Sequence, residues 1–220
     1  MKTGENFRPK GAIFDIDGLM LDTEKIQIPL WTDAGKLLGY DIKKETVLDA
    51  VGKTGDDVRR LCIRDLGADF PYEDFKAALN TAASLEMGKG IAVKSGLSVL
   101  LDTILAANIP FAVATSNRRR WALWKLEKAG IADRFSVMVC GDEVAKKKPA
   151  PDVFLAAADK LGLSPSECAG FEDSISGLQS LNAAGMPSVF IKDMVEPPED
   201  LLSTVWRRYN NLAEAAVLFL

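Results

Sequence analysis

The chain has 220 residues, 48% of them hydrophobic, and a formal net charge of −4, which is enough apolar material for a full core without the basic excess that nucleic-acid binding requires. Histidine is absent, so every His-dependent triad and His-ligated metal site is excluded, and acid/base work near neutral pH falls to carboxylates, Lys, Cys or Tyr. Cys62, Cys140 and Cys168 are odd in number and lack metal-ligand spacing, so buried reduced thiols are expected rather than disulfides or zinc.

The first ten residues lack the apolar stretch of a secretory signal, and no apolar run approaches the roughly 18 residues of a membrane span. A cytoplasmic protein with no membrane or nucleic-acid partner is expected. The segment Gly11 to Asp15 then reads as a buried strand, and Asp17-Gly18 follows it. Successive side chains of an extended segment face opposite sides, so Asp15 and Asp17 point the same way. Two carboxylates so close repel unless a cation sits between them or one keeps a proton. The first solution suits a divalent metal; the second suits a protonated Asp17 beside a nucleophilic Asp15. A strand end followed by a helix cap would look the same in isolation.

From Asp22 to Ile91 the sequence shows helical patterns and no strand, and it reads as an inserted helical cap over residues 22–91. Candidate helices run from Glu24 to Leu38, with Pro29 either in the first turn or kinking it, from Asp56 to Leu66, and from Pro71 to Met87. The loop Val51-Gly52-Lys53-Thr54-Gly55 is not a nucleotide-binding P-loop, because Val47 stands where that motif needs a glycine. Lys53 and Thr54 are candidate substrate contacts; a plain tight turn before the next helix is the alternative.

The remainder alternates strand and helix. Strands are expected at Ile109 to Thr115, Ser136 to Cys140, Cys168 to Glu172 and Ser188 to Ile191. Helices are expected at Gly96 to Asn108, Arg119 to Gly130, Asp152 to Gly162 and Ser176 to Gly185. This pattern argues for an α/β, Rossmann-like fold with a mainly parallel sheet, residues 1–21 and 92–220 forming the core domain around the cap. Gly170 inside a strand reads as a mild local weakness. Of the basic runs, Arg118 to Arg120 is expected at an exposed helix start, and Lys146 to Lys148 is expected to be solvated apart from Lys148. Trp121, Trp124, Trp206 and a terminal helix from Leu212 to Leu220 are expected mostly in the core, in a monomer or weak homodimer.

Three segments complete a site with Asp15 and Asp17: Thr115-Ser116-Asn117 after one strand, Lys148-Pro149 before a helix, and Glu172-Asp173-Ser174 after another strand. In open α/β sheets ligands bind beyond the carboxyl ends of the strands, where these segments fall. In this order the four segments resemble the haloacid dehalogenase superfamily, in its beta-phosphoglucomutase-like and sugar-phosphate phosphatase group, over nearly the whole chain. The resemblance implies a nucleophile at Asp15, an acid/base at Asp17 and a phosphate-facing cation at Lys148. It implies phosphate binding by Thr115, Ser116 and Asn117. It also implies Mg2+ held by Asp15, Glu172, Asp173 and the backbone carbonyl of Asp17. The implied reaction is hydrolysis of a small phosphomonoester, a sugar phosphate or similar metabolite, through an aspartyl-phosphate. A phosphosugar mutase and a non-catalytic phospho-ligand binder are the alternatives. Gly55 stands where the mutase carries an arginine, which favours hydrolysis, and Val93-Lys94-Ser95-Gly96 lacks the usual proline of the second hinge.

Overall fold

A computed structural model describes residues 7–51, 53 and 55–220. Among these, six strands form one sheet: β1 (Gly11–Phe14), β2 (Phe111–Ala114), β3 (Met138–Val139), β4 (Cys168–Glu172), β5 (Ser188–Ile191) and β6 (Arg207–Tyr209). Their order is β3-β2-β1-β4-β5-β6 and every pairing is parallel, bearing out the Rossmann-like α/β reading. Every residue of β1 to β5 is buried, as it must be when helices cover both faces.

The pleat sends alternate side chains to the two faces. Phe14 and Phe171 stack at 4.6 Å on one face, in a core with α5 (Leu97–Ala106), α6 (Arg119–Lys128) and the terminal 3-10 turn Glu214–Phe219. Ile13 and Ala112 point to the other face, against α7 (Asp152–Lys160), α8 (Ile175–Ala184) and α9 (Glu199–Leu202). Register brings the strand ends level. Phe14 is paired with Val113 on one side and Phe171 on the other, and the amides of Asp15 and Thr115 extend the ladder to the carbonyls of Phe171 and Val139.

Between β1 and α5 lie α1 (Thr23–Leu37), α2 (Lys44–Ala50), α3 (Gly55–Leu66) and α4 (Tyr72–Gly88). They enclose a cluster of their own in which Trp31, Phe70 and Phe75 pack at angles to one another. The two connecting segments run side by side: the Asp22 amide donates to the Ala92 carbonyl at 2.9 Å and the Lys94 amide to that of Met20 at 2.8 Å. No described helix is long and apolar enough to cross a membrane.

Several expectations are corrected. Helix α2 and strand β6 were not anticipated, and the terminal helix is a 3-10 helix limited to Glu214–Phe219 rather than one over 212–220. Pro29 lies well inside α1, so the carbonyl one turn back, at Lys25, has no helical donor. Of Trp121, Trp124 and Trp206, Trp121 alone departs from the core, being 37% exposed and edge-on to Trp124; Trp124 and Trp206 are partly buried against the core, in line with the expectation for most of them. Gly170 is no weakness: a Cβ there would lie 2.1 Å from Leu181 Cδ2 and 2.9 Å from Met186 Sδ, so glycine is what lets α8 sit down on β4. All three cysteines are buried and free, as expected.

Candidate active site

The carboxyl ends of β1, β2 and β4 converge on a cavity of about 350 Å3 roofed by α1 to α4. At its floor Lys148 is buried and donates from Nζ to Asp15 Oδ1 and Glu172 Oε1, both at 2.6 Å, and to the Ala114 carbonyl at 3.0 Å. Its ammonium also stands 4.6 Å from the centre of the Phe154 ring. All three protons of the cation are therefore used, which holds a strongly hydrated group away from water. Burial disfavours its charge, but Asp15 and Glu172 outweigh burial and lift the Lys148 pKa above its ordinary value.

Both oxygens of Glu172 are hydrogen-bonded. Oε1 takes Lys148, while Oε2 accepts from the amides of Asp173 and Ser174 at 3.1 Å and from Ser174 Oγ at 3.0 Å. Ser174 Oγ in turn accepts from the Gly177 amide and caps α8. Gly177 has no alternative: its Cβ would fall 1.8 Å from the Glu172 carboxyl carbon. Gly18, at φ 78°, similarly leaves room for Asp173, whose Oδ2 would be 2.2 Å from a Cβ.

Asp17 takes a different environment. Lys125 on α6 donates to Oδ1 at 2.7 Å and Asn117 Nδ2 to Oδ2 at 2.5 Å; Lys125 also reaches Asn117 Oδ1 at 3.3 Å. Thr115 Oγ1 accepts from the Asn117 amide at 3.2 Å and from its Nδ2 at 2.9 Å, which leaves the Thr115 proton free to be donated.

Electrostatically the two aspartates are driven apart. Burial pushes Asp15 up to about 7, Lys148 pulling it down and Glu172 and Asp17 adding to the rise. Burial also acts to raise Asp17, but the charge and hydrogen bond of Lys125, with the hydrogen bond from Asn117, bring it below the usual carboxylate range. Set by the protein groups alone, this order is the reverse of the protonated Asp17 beside an ionised Asp15, one of the two solutions open from spacing. Asp173 rises well above the usual range, through burial first and then the charges of Glu172 and Asp15.

These acids fit a divalent cation. Asp15, Glu172 and Asp173 each present an oxygen, all within 4.8 Å of one another, and Asp173 Oδ1 is buried without a hydrogen-bond partner. Hard oxygens crowded in this way, with one left unsatisfied, suit Mg2+. The Asp17 carboxylate stands outside that set.

The structure brings Asp15, Asp17, Thr115, Ser116, Asn117, Lys148, Glu172 and Asp173 to one cavity, and Lys53 lines it too while donating to the Asp49 carbonyl. Thr54 lies outside the described residues. Two residues escaped the sequence reading. Lys125 falls on the stripe with buried Ala122 and Leu126, where a lysine is out of place, and Glu24 is an acid of α1 that lines the cavity. Burial, with the charges of Asp17 and Asp193, pushes Glu24 up to about 7, against Lys125 and Lys94.

An aspartate pair at a central strand end, a lysine locking it to a second acidic strand end, and a helical roof define a class that sequence comparison identifies directly. The chain belongs to the haloacid dehalogenase-like hydrolases, matching that family over residues 12–191. It is 33% identical over 210 residues to Protein CbbY of Rhodobacter capsulatus, covering 90% of this chain and 92% of that one. It is 31% identical over 193 residues to the fructose-1-phosphate phosphatase YqaB of Escherichia coli, covering 84% and 97%. The fold is also that of CbbY from Rhodobacter sphaeroides solved with phosphate, at a TM-score of 0.77, 24% identity, and 94% and 96% coverage.

Proposed function

We propose that this protein is a magnesium-dependent phosphatase that hydrolyses a small phosphomonoester through an aspartyl-phosphate on Asp15. The observation that carries this reading is the buried Lys148, tying Asp15 to Glu172 at 2.6 Å each, beside an acidic oxygen cluster at the strand ends. Of the relatives, one is named a fructose-1-phosphate phosphatase and another, of Drosophila melanogaster, a probable pseudouridine-5'-phosphatase. In this reading residues 1–21 and 92–220 are the catalytic core and 22–91 a cap that reads the rest of the substrate, with Lys53 and Thr54 at its contact loop.

An oxygen of Asp15 forms a bond to phosphorus as the ester P–O bond breaks, and the leaving oxygen takes the proton of Asp17. Asp17 then removes a proton from water, whose oxygen attacks phosphorus; the bond to Asp15 breaks and inorganic phosphate leaves. The free proton of Thr115, with Ser116, meets the phosphoryl oxygens, where charge is held in such transition states; Lys148 and Asn117 join them by exchanging a present partner for a phosphoryl oxygen, Lys148 giving up Asp15 as that carboxylate bonds to phosphorus. The ionised Asp17 held by Lys125 and Asn117 is the form that activates water; a phosphate dianion arriving beside it raises its pKa and favours the acid form needed first. Asp15, Glu172, Asp173 and the Asp17 carbonyl would hold Mg2+, which when bound neutralises charge on the phosphoryl oxygens.

The test is phosphate release from a panel of phosphorylated metabolites, with Mg2+ and with chelator. Mg2+-dependent release that disappears in Asp15→Asn is expected. An Asp15→Asn protein with wild-type turnover overturns the assignment.

A further inference from the structure

Helix α1 shows the cavity one stripe, Glu24, Gln27, Ile28 and Trp31, at the i, i+3, i+4, i+7 spacing of a single helix face. The stripe changes character along its length. Glu24, in the first turn of α1, feels the charges of Asp17 and Lys125. One turn on is Gln27. Both line the cavity, and among the described residues neither has a hydrogen-bond or ion-pair partner in the protein. Beyond them Ile28 and Trp31 are apolar, Trp31 is held edge-on to Phe75 at 5.1 Å, and Val47, Val58 and Leu79 extend the same wall from α2, α3 and α4.

This gradient constrains what can fill the space beyond the phosphate. Hydroxyls close to the phosphate would meet the unused acceptors and donors of Glu24 and Gln27. Hydroxyls further along the α1 face would press on Ile28, Trp31, Val47, Val58 and Leu79, none of which can bond them, while Lys53, which also lines the cavity, already donates to the Asp49 carbonyl; each buried hydroxyl left unpaired loses roughly tenfold or more in affinity. A flat heterocycle at that distance loses nothing of this kind and buries its faces. A bare hexose phosphate therefore matches the near half of the wall and opposes the far half.

We propose that the α1 stripe selects a phosphomonoester with hydroxyls next to the phosphate and an apolar or aromatic ring at its far end, the chemistry of a nucleoside 5′-monophosphate. The proposal rests on the phosphatase reading above and names its substrate class. Glu24 and Gln27 bind the pentose hydroxyls; Ile28 and Trp31 take the base.

The experiment compares kcat/KM for uridine and adenosine 5′-monophosphates with ribose 5-phosphate and glucose 6-phosphate, with Mg2+ present and acetyl phosphate as a substrate that carries neither feature. A nucleotide should exceed both sugar phosphates by about tenfold or more. Ile28→Asn, folded by its melting curve, should cut that ratio about fivefold or more. The wild-type ratio decides the matter even where the variant does not fold. Equal or better turnover of the sugar phosphates alongside acetyl phosphate hydrolysis overturns the substrate class and leaves the phosphatase reading standing, as does a ratio untouched by Ile28→Asn. Failure on every substrate, acetyl phosphate included, overturns both.

Discussion

Replacing Lys148 by Met removes a charge and keeps most of the volume, and the structure allows its effect to be worked out. The lysine side chain is 5% exposed and its partners Asp15 and Glu172 are 13% and 0% exposed, so water cannot substitute for the lost cation. Removing one member of a buried ion pair costs about 3–5 kcal/mol, because the remaining charge stays buried and unpaired. In a chain of this size each kcal/mol moves Tm by about 2–4 °C, so a fall of roughly 6–20 °C is expected at pH 8. The loss must also depend on pH. Burial already holds Asp15 at about 7 with Lys148 opposing it, so without the lysine its folded pKa rises further. A carboxyl raised in the fold is protonated there while the unfolded chain has already ionised, so stability falls as pH climbs from the unfolded value of about 4 through 7 and beyond. The deficit of Lys148→Met should therefore be larger at pH 8 than at pH 5. Thermal unfolding followed by circular dichroism in chelator measures both. Adding Asp15→Asn to Lys148→Met should recover part of the loss, because it removes the orphaned charge. A deficit under about 2 °C at pH 8, or one that grows on acidification, would refute the reasoning.

Gly170→Val should destabilise by about 1–3 kcal/mol, because its Cβ has to displace Leu181 and Met186 from the α8 interface; denaturant unfolding reads it, and an unchanged midpoint would contradict the packing account. Lys125→Met should lower kcat about tenfold to a hundredfold, the loss of a charge-assisted hydrogen bond of about 1.5–3 kcal/mol to Asp17, with KM altered less. Steady-state kinetics on a good substrate separate the two, and a variant with raised KM but wild-type kcat would place Lys125 in binding instead.

The parts of this molecule that could be read from the sequence are those where one physical demand dominates a short segment. A parallel strand covered on both faces must be apolar throughout, so Gly11 to Phe14 and Phe111 to Ala114 announce themselves, and the polar residue that follows each is where the chain leaves the sheet and lines the cavity. Strand β6 escaped because an edge position asks less: Arg207-Arg208-Tyr209 is partly exposed and carries no apolar run. Helix α2 escaped because seven residues opening with Lys44-Glu45 give too short a stripe to count. Gly170 misled because its cause lies across space, in the ends of Leu181 and Met186, and intrinsic strand preference reads it as a fault. The same limit separates the two lysines of the site. Lys148 stood out through its fixed place in a known order of segments, whereas Lys125 belongs to a helix where a lysine normally faces water. What brings it to the candidate site is that α6 starts just after Thr115 to Asn117, so its second turn passes beside Asp17. A charged residue on the buried stripe of a helix that follows a strand end lining the cavity is therefore a signal worth reading in its own right, and Glu24, on the helix that follows β1, obeys the same rule.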